Sequence, residues 1–368
     1  MKIKNGLVFD ENHKMTYKDI CFEEGIITDF SKNGEYNAED CYVLPGFIDT
    51  HIHGSAGIAF YGTHNLGDLK IALDYLSSQG VTSVLLTLAS ETKEEYLKDC
   101  DRIIEANDDR ILGIHCEGPF MNIVRAGGMH PDKLQNPNIV IPELINEYTN
   151  GLLKIISMAP ELDGASDTIK KLKKLGIKIS MAHSDATFEQ ATIGVDNGIS
   201  RATHLFNAMR PFNHRDTGII GCALTDDRIE CELICDLHHV SSVAIKLAVK
   251  SKGVDKITMV SDAGFYAGLP EGRYIHNGRE IKVENGFAKL CSNDTICGSA
   301  LTLAKGAENM FKLGFKPEEI AIMACVNPAR ASGCHNRGEL KTGYIADIVI
   351  LDKDFKVISV FSKGKQIK

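Results

Sequence analysis

Short apolar runs of four to eight residues recur along most of this chain, and many stretches between them return apolar side chains every three or four positions. The first 45 residues are different. There, 3–9, 18–23 and 26–30 read as short strands with a tight turn at Glu24-Gly25. From Phe47 onward eight runs read as buried strands: 47–53, 81–88, 111–117, 152–159, 177–183, 201–204, 230–236 and 257–262. Helical patterns lie between most of them. Leu69, Leu73 and Leu76 mark 69–78, and Leu97, Cys100 and Ile103 mark 91–106 behind the cap-like Ser90. A third pattern, 165–175, stops at Gly176, and a fourth opens at Ser241-Ser242 and runs to about 250. Repeated strand–helix units imply a parallel sheet, and eight of them predict a closed (β/α)8 barrel. An open doubly wound sheet is the other layout, but no Gly-x-Gly-x-x-Gly follows an early strand.

From 269 to 295 the pattern turns β-like again, with Asn277-Gly278 and Asn285-Gly286 as hairpin turns. Two helical patterns follow, 299–313 and 317–331, and 338–368 returns to short strands around the buried run 346–351. The expected organisation is a barrel over 46–336 with a β-hairpin insertion near 269–295. Residues 1–45 and 337–368 then form one small β-sandwich from both chain ends.

A chain of 368 residues with 43% hydrophobic and 24% charged residues is ordinary for a globular protein and fits a barrel with a small appendage. The net charge of −8 argues against general nucleic-acid or anionic-membrane binding, though not against a local basic pocket for a small anion. No apolar run approaches the roughly 18–20 residues of a membrane span, and Met1 to Gly6 carry no apolar signal region. Eleven scattered cysteines without a Cys-x-x-Cys pair read as reduced thiols in a cytoplasmic protein.

The polar residues concentrate where barrel active sites lie, at the C-terminal ends of strands. Strand one ends in His51-Ile52-His53, whose two imidazoles share a face by strand alternation. Strand three ends in His115-Cys116-Glu117, strand five in His183-Ser184-Asp185, strand six in His204-Leu205-Phe206-Asn207 and strand eight in Ser261-Asp262. Each alone is most simply structural. Barrel closure would gather all five around one opening, and four histidines with a carboxylate suit zinc, iron or another first-row divalent ion. Alternation turns Cys116 away from Glu117. Asp262 has two readings: a weak ligand, or a base that takes a proton from water and returns it to a departing amine.

These motifs resemble the amidohydrolase superfamily and, within it, the N-acetylglucosamine-6-phosphate deacetylases. The resemblance covers nearly the whole chain. Pro45-Gly46-Phe47-Ile48-Asp49 and Gly343-Tyr344-Ile345-Ala346-Asp347 are common across the superfamily. Glu117-Gly118-Pro119-Phe120 and His204-Leu205-Phe206-Asn207-Ala208-Met209 are more specific to the deacetylases. The resemblance implies a metal held by Glu117, His183 and His204, and a second metal site completed by His51 and His53, so one or two ions per subunit. Zinc or iron heads the expectation, with manganese and cobalt as alternatives. It assigns the acid/base role to Asp262 and carbonyl polarisation to His130. No lysine stands at the end of strand three or four to bridge two metals, which leaves that place to Glu117. Sugar-phosphate contacts are carried over to Met129, His130, Asn207, Ala208, Arg215, His239, Ile296, Cys297 and Gly298. Arg215 is expected to reach the phosphate of a neighbouring subunit, making a homodimer part of the site.

Some positions keep a second reading. Arg215 would pair with its neighbour Asp216 on a solvated loop, and His238 or His239 would cap the helix that opens at Ser241. Either of those histidines would reach phosphate, and Cys297 stands where the family often has a small residue. The implied activity is hydrolysis of N-acetyl-D-glucosamine 6-phosphate to D-glucosamine 6-phosphate and acetate, in amino-sugar catabolism and cell-wall recycling. The rivals are another amidohydrolase, such as an N-acetylgalactosamine-6-phosphate deacetylase, or a non-catalytic barrel serving as a scaffold.

Overall fold

The computed structural model describes residues 1–31, 34–62 and 66–368. Its centre is a sheet of eight strands in sequential order: Phe47–Ile52, Val81–Leu88, Ile111–Glu117, Leu153–Met158, Lys178–Met181, Arg201–Ala202, Glu230–Ile234 and Ile257–Val260. All seven adjacent pairings are parallel. Strands of such a sheet are buried on both faces, which explains the unbroken apolar runs. Every residue of Val81–Leu88, for example, is buried. Across the seam, the Asp262 N–H donates to the His51 carbonyl at 2.9 Å and the His53 N–H to the Ala263 carbonyl at 2.8 Å. The ring therefore closes at its C-terminal end, where the ligand-type side chains sit.

Four predicted strands end two residues early. The fifth stops at Met181, the sixth at Ala202, the seventh at Ile234 and the eighth at Val260, each two residues before a polar residue at or beside the site. His183, His204 and Asp262 take φ values of +43°, +31° and +50°. A left-handed backbone at a residue with a Cβ is strained and cannot continue a strand. The chain turns here to aim side chains over the barrel mouth.

Both chain ends build two further sheets. One runs in the order Lys365–Gln366, Val357–Ser362, Ile348–Leu351, Tyr42–Pro45, Leu7–Phe9, Met15–Tyr17. The other runs Ile26–Thr28, Ile20–Glu23, Lys2–Lys4, Glu35–Asn37. Ile3, Phe22 and Ile27 of the second meet Val8, Val43, Ile348 and Phe361 of the first in one apolar core. The single run read over 3–9 is thus two strands in different sheets, divided at Asn5 with φ +64°.

The insertion is larger than a hairpin. Gly272–His276, Arg279–Glu284, Phe287–Leu290 and Ile296–Ser299 form a four-stranded antiparallel sheet, with both Asn-Gly turns where expected. Its fourth strand ends at Ser299, the first residue read as helix, and the helix itself runs only Leu303–Lys312 behind Thr302. The inner face of this sheet packs Ile281, Val283 and Leu290 on Phe265, Tyr266 and Ala59 at the barrel mouth. The helix read from 91 starts at Lys93, because Thr92 and Glu95 form a reciprocal capping box. Among the described residues no helix is long and apolar enough to cross a membrane. All eleven cysteines are unpaired.

Candidate active site

Glu117 is the hub. Its Oε1 lies 3.2 Å from His183 Nε2 and 2.8 Å from His204 Nε2, and those two nitrogens are 3.2 Å apart. Its Oε2 lies 3.2 Å from His53 Nε2. Asp262 Oδ1 approaches His53 Nε2 at 3.3 Å and His51 Nε2 at 3.5 Å. Two donor groups therefore adjoin, Glu117–His183–His204 and His51–His53–Asp262, each with its ligand atoms within 4.8 Å of one another.

The surroundings fix which nitrogens face inward. His183 Nδ1 is 2.8 Å from the Arg125 carbonyl, which can only accept, so Nδ1 carries the proton and Nε2 presents its lone pair. His51 Nδ1 is 2.9 Å from Glu232 Oε2, and Arg201 Nη2 stands 3.4 Å behind on Glu232 Oε1. A carboxylate behind a histidine is the usual outer partner of a metal ligand. His51 Nε2 is buried and without a hydrogen-bond partner. Burial opposes charge on Glu117, but His51, His183 and His204 outweigh it and hold its pKa well below the usual carboxylate range. Burial likewise opposes charge on Asp262, yet His53 and His51 lower its pKa to about 2. Two ionised, buried carboxylates facing an orphaned imidazole nitrogen form a donor set that fits a divalent cation. His115 is not part of it. Its Nδ1 donates to the Thr50 carbonyl at 3.0 Å and its Nε2 accepts from Ser157 Oγ at 2.7 Å, while burial lowers its pKa to about 4. Cys116 faces the apolar core, as alternation predicts.

A cavity of about 400 Å³ opens over this centre. Its wall includes His53, Glu117, His183, His204 and Asp262, with His51 one layer beneath. Met129, His130, Asn207, Ala208, His239, Ile296, Cys297 and Gly298 all line it. His239 is the histidine on the wall; His238 packs instead against Phe287 of the insertion, the rings tilted with centroids 4.7 Å apart. Burial opposes charge on His239, but the Asp236 carboxylate 2.6 Å from Nδ1 raises its pKa. Neither histidine caps the following helix, since Ser241 Oγ accepts from the Ala244 N–H. Arg215 does not line the cavity of its own chain. It is exposed, and Asp216 is taken by Arg210 at 2.6 Å, so the local Arg215–Asp216 pair does not form.

The amidohydrolase family profile matches residues 42–367. This chain belongs to the amidohydrolase family. An N-acetylglucosamine-6-phosphate deacetylase of Lysinibacillus sphaericus is 32% identical over 99% of this amidohydrolase and 96% of its own length. An N-acetylgalactosamine-6-phosphate deacetylase of Escherichia coli O157:H7 is 31% identical over 88% of the chain and 87% of its own length. A Mycobacterium smegmatis N-acetyl-D-glucosamine-6-phosphate deacetylase variant, solved with N-acetyl-D-glucosamine-6-phosphate, superposes with TM-score 0.92 at 26% identity, covering 100% of this chain and 99% of that one.

Sequence reasoning overlooked several residues of this amidohydrolase's site. Glu232 stands in mid-strand within a buried apolar run, and Arg201 opens the preceding strand. A charge on the inward parity of a barrel strand was the available signal. Tyr61, Lys133, His276, Asn277 and Arg279 also line the cavity. They come from turns and from the insertion, where no periodicity links them to the barrel ends.

Proposed function

We propose that this chain hydrolyses the acetamide of N-acetyl-D-glucosamine 6-phosphate, giving D-glucosamine 6-phosphate and acetate. The observation that carries the reading is Asp262: an ionised carboxylate on the cavity wall, held beside the five-residue donor set by His53. Glu117, His183 and His204 would hold the main cation, and His51 and His53 would complete a second position with Glu117 between the two. A divalent ion bound there supplies Lewis-acid polarisation and lowers the pKa of water. Zinc or iron suits this nitrogen–oxygen set best, with manganese and cobalt as further options.

The chain's own groups do the rest. Asp262 removes a proton from the attacking water as the C–O bond forms. His130 Nε2, buried on the wall and without a partner, donates toward the acetamide oxygen. Burial and the Arg279 charge lower the pKa of His130, which favours a neutral imidazole in that role. Asp262 then delivers its proton to the amine as the C–N bond breaks.

His239, kept cationic by Asp236, faces the phosphate with Asn207 and Ala208. Arg215 completes that pocket from the neighbouring subunit of a homodimer. Its loop supports this, because Phe212 is exposed in it and Ile123 and Val124 lie bare beyond the Arg125–Asp185–Arg210 ion chain. The unpaired cysteines fit a reducing compartment such as the cytoplasm. The Escherichia coli relative supports a second reading, the galacto epimer. Turnover of both epimers, measured after reconstitution with each metal in turn, tests the proposal. The expected result is metal-dependent acetate release with the gluco substrate preferred. A metal-loaded protein that turns over neither sugar would overturn it, and would favour the scaffold.

A further inference from the structure

His130 sits at the end of a loop with little regular structure of its own. Residues 126–130 form a turn closed by one hydrogen bond, from the Met129 N–H to the Ala126 carbonyl at 3.0 Å. The loop is wedged on two sides. A Cβ at Gly127, where φ is +59°, would stand 3.3 Å from the His183 ring, and one at Gly128 would stand 3.0 Å from Cys297 Cβ in the insertion. A third contact comes from the far end of the insertion's first hairpin. Arg279, the first residue after the Asn277-Gly278 turn, donates from Nη2 to the Gly128 carbonyl at 2.5 Å and from Nη1 to the Met129 carbonyl at 3.4 Å. The donors thus lie about 150 residues along the chain from their acceptors.

We propose that Arg279 is a positioning residue, which sets the conformation of the 128–130 loop and so the placement of His130 against the substrate carbonyl. The assignment rests on the deacetylase reading for what His130 does, but not for the clamp itself. These hydrogen bonds run to backbone oxygens, so they report loop shape rather than side-chain identity. A guanidinium can serve two successive carbonyls from two nitrogens of its planar fork, whereas an ammonium offers its three donors from one freely rotating nitrogen. Polarisation of a carbonyl depends on a donor held within a fraction of an ångström, so a loosened loop costs turnover more than binding.

The test is a double-mutant cycle on the metal-loaded protein. Arg279→Met is expected to lower kcat by about 10–100-fold while KM moves less than about threefold, and Arg279→Lys to recover part of the loss. In a His130→Asn background Arg279→Met should cost less than about twofold further, because the group it positions is gone. Losses that multiply in the double variant, or a loss carried by KM, would show that Arg279 acts on the substrate directly and would overturn the proposal. Amide hydrogen exchange supplies a readout independent of the substrate. Protection of the Met129 N–H should fall in Arg279→Met, and unchanged protection overturns the clamp even if the amino-sugar reading fails. Should Arg279→Met not fold, Arg279→Gln carries the same comparison.

Discussion

Glu232 does not reach the cavity, yet it decides which nitrogen of His51 does. With Nδ1–H donated to a buried carboxylate, the imidazole is pinned in one tautomer and its Nε2 is a stronger donor to a cation. Glu232 is itself held ionised: burial works against the charge, but His51 first, then His115 and Arg201, lower its pKa to about 2. Glu232→Gln keeps the shape and an acceptor but removes the charge, so metal affinity should fall about 10–100-fold. Competition against a chelator measures this, and unchanged affinity would exclude the outer-partner role. Asp262→Asn separates a different function. It should lower kcat by about 10²–10⁴-fold, the usual worth of a positioned acid/base, while bound metal and substrate affinity stay near those of the parent. Near-full turnover in a metal-loaded Asp262→Asn protein would remove Asp262 from the proton path.

The elements show where a sequence pattern informs and where it stops. Parallel barrel strands are buried on both faces, so 47–53, 81–88 and 111–117 stand out as apolar runs. The residues proposed to carry function are those that break the pattern. His183, His204 and Asp262 leave the strand conformation for left-handed backbone, and no periodicity encodes that departure. The four-stranded insertion announced its two Asn-Gly turns, but only the family resemblance, not the residue pattern, pointed to Ile296, Cys297 and Gly298, which its fourth strand carries to the cavity. Glu91 is a further case. Apolar spacing assigned it to a helix, but the Thr92–Glu95 capping box starts the helix later and leaves Glu91 in the connecting turn, fully buried beside Asp99. Burial and the neighbouring carboxylate push its pKa far above the ordinary value of about 4.3, so the folded state holds a proton that the unfolded state releases. The sign follows: its contribution is fully present below about pH 4 and is lost progressively as pH rises toward the folded pKa. Glu91→Gln keeps a neutral group of the same size. It should stabilise the fold by roughly 1–3 kcal/mol at pH 8 and by almost nothing near pH 4. Denaturant midpoints at both values check this, and an equal shift at the two pH values would mean that Glu91 does not carry the proton.

At the scale of the molecule, one chain supplies almost a whole site. His53, Glu117, His183, His204, Asp262, His130 and His239 all face one cavity with His51 just beneath, and of the proposed site residues only Arg215 stands away from it, on an exposed loop. If that arginine serves the partner's phosphate, the dimer is a catalytic unit, and its symmetry makes a definite arithmetic prediction. Arg215→Ala alone should raise KM for the phosphorylated sugar by about 10–100-fold, the loss expected for a charge-assisted bidentate contact. Asp262→Asn alone should cut kcat by about 10²–10⁴-fold. In a mixed dimer of the two variants, the subunit with intact Asp262 faces a partner with intact Arg215, so one of its two sites is whole. The other site lacks both groups. Random reassortment makes about half of all dimers mixed, so the mixture should regain about a quarter of parental turnover at low substrate concentration. Mixing without subunit exchange gives the baseline. Recovery near that baseline, with mixed dimers demonstrated by native mass spectrometry, would return Arg215 to its own subunit or to solvent.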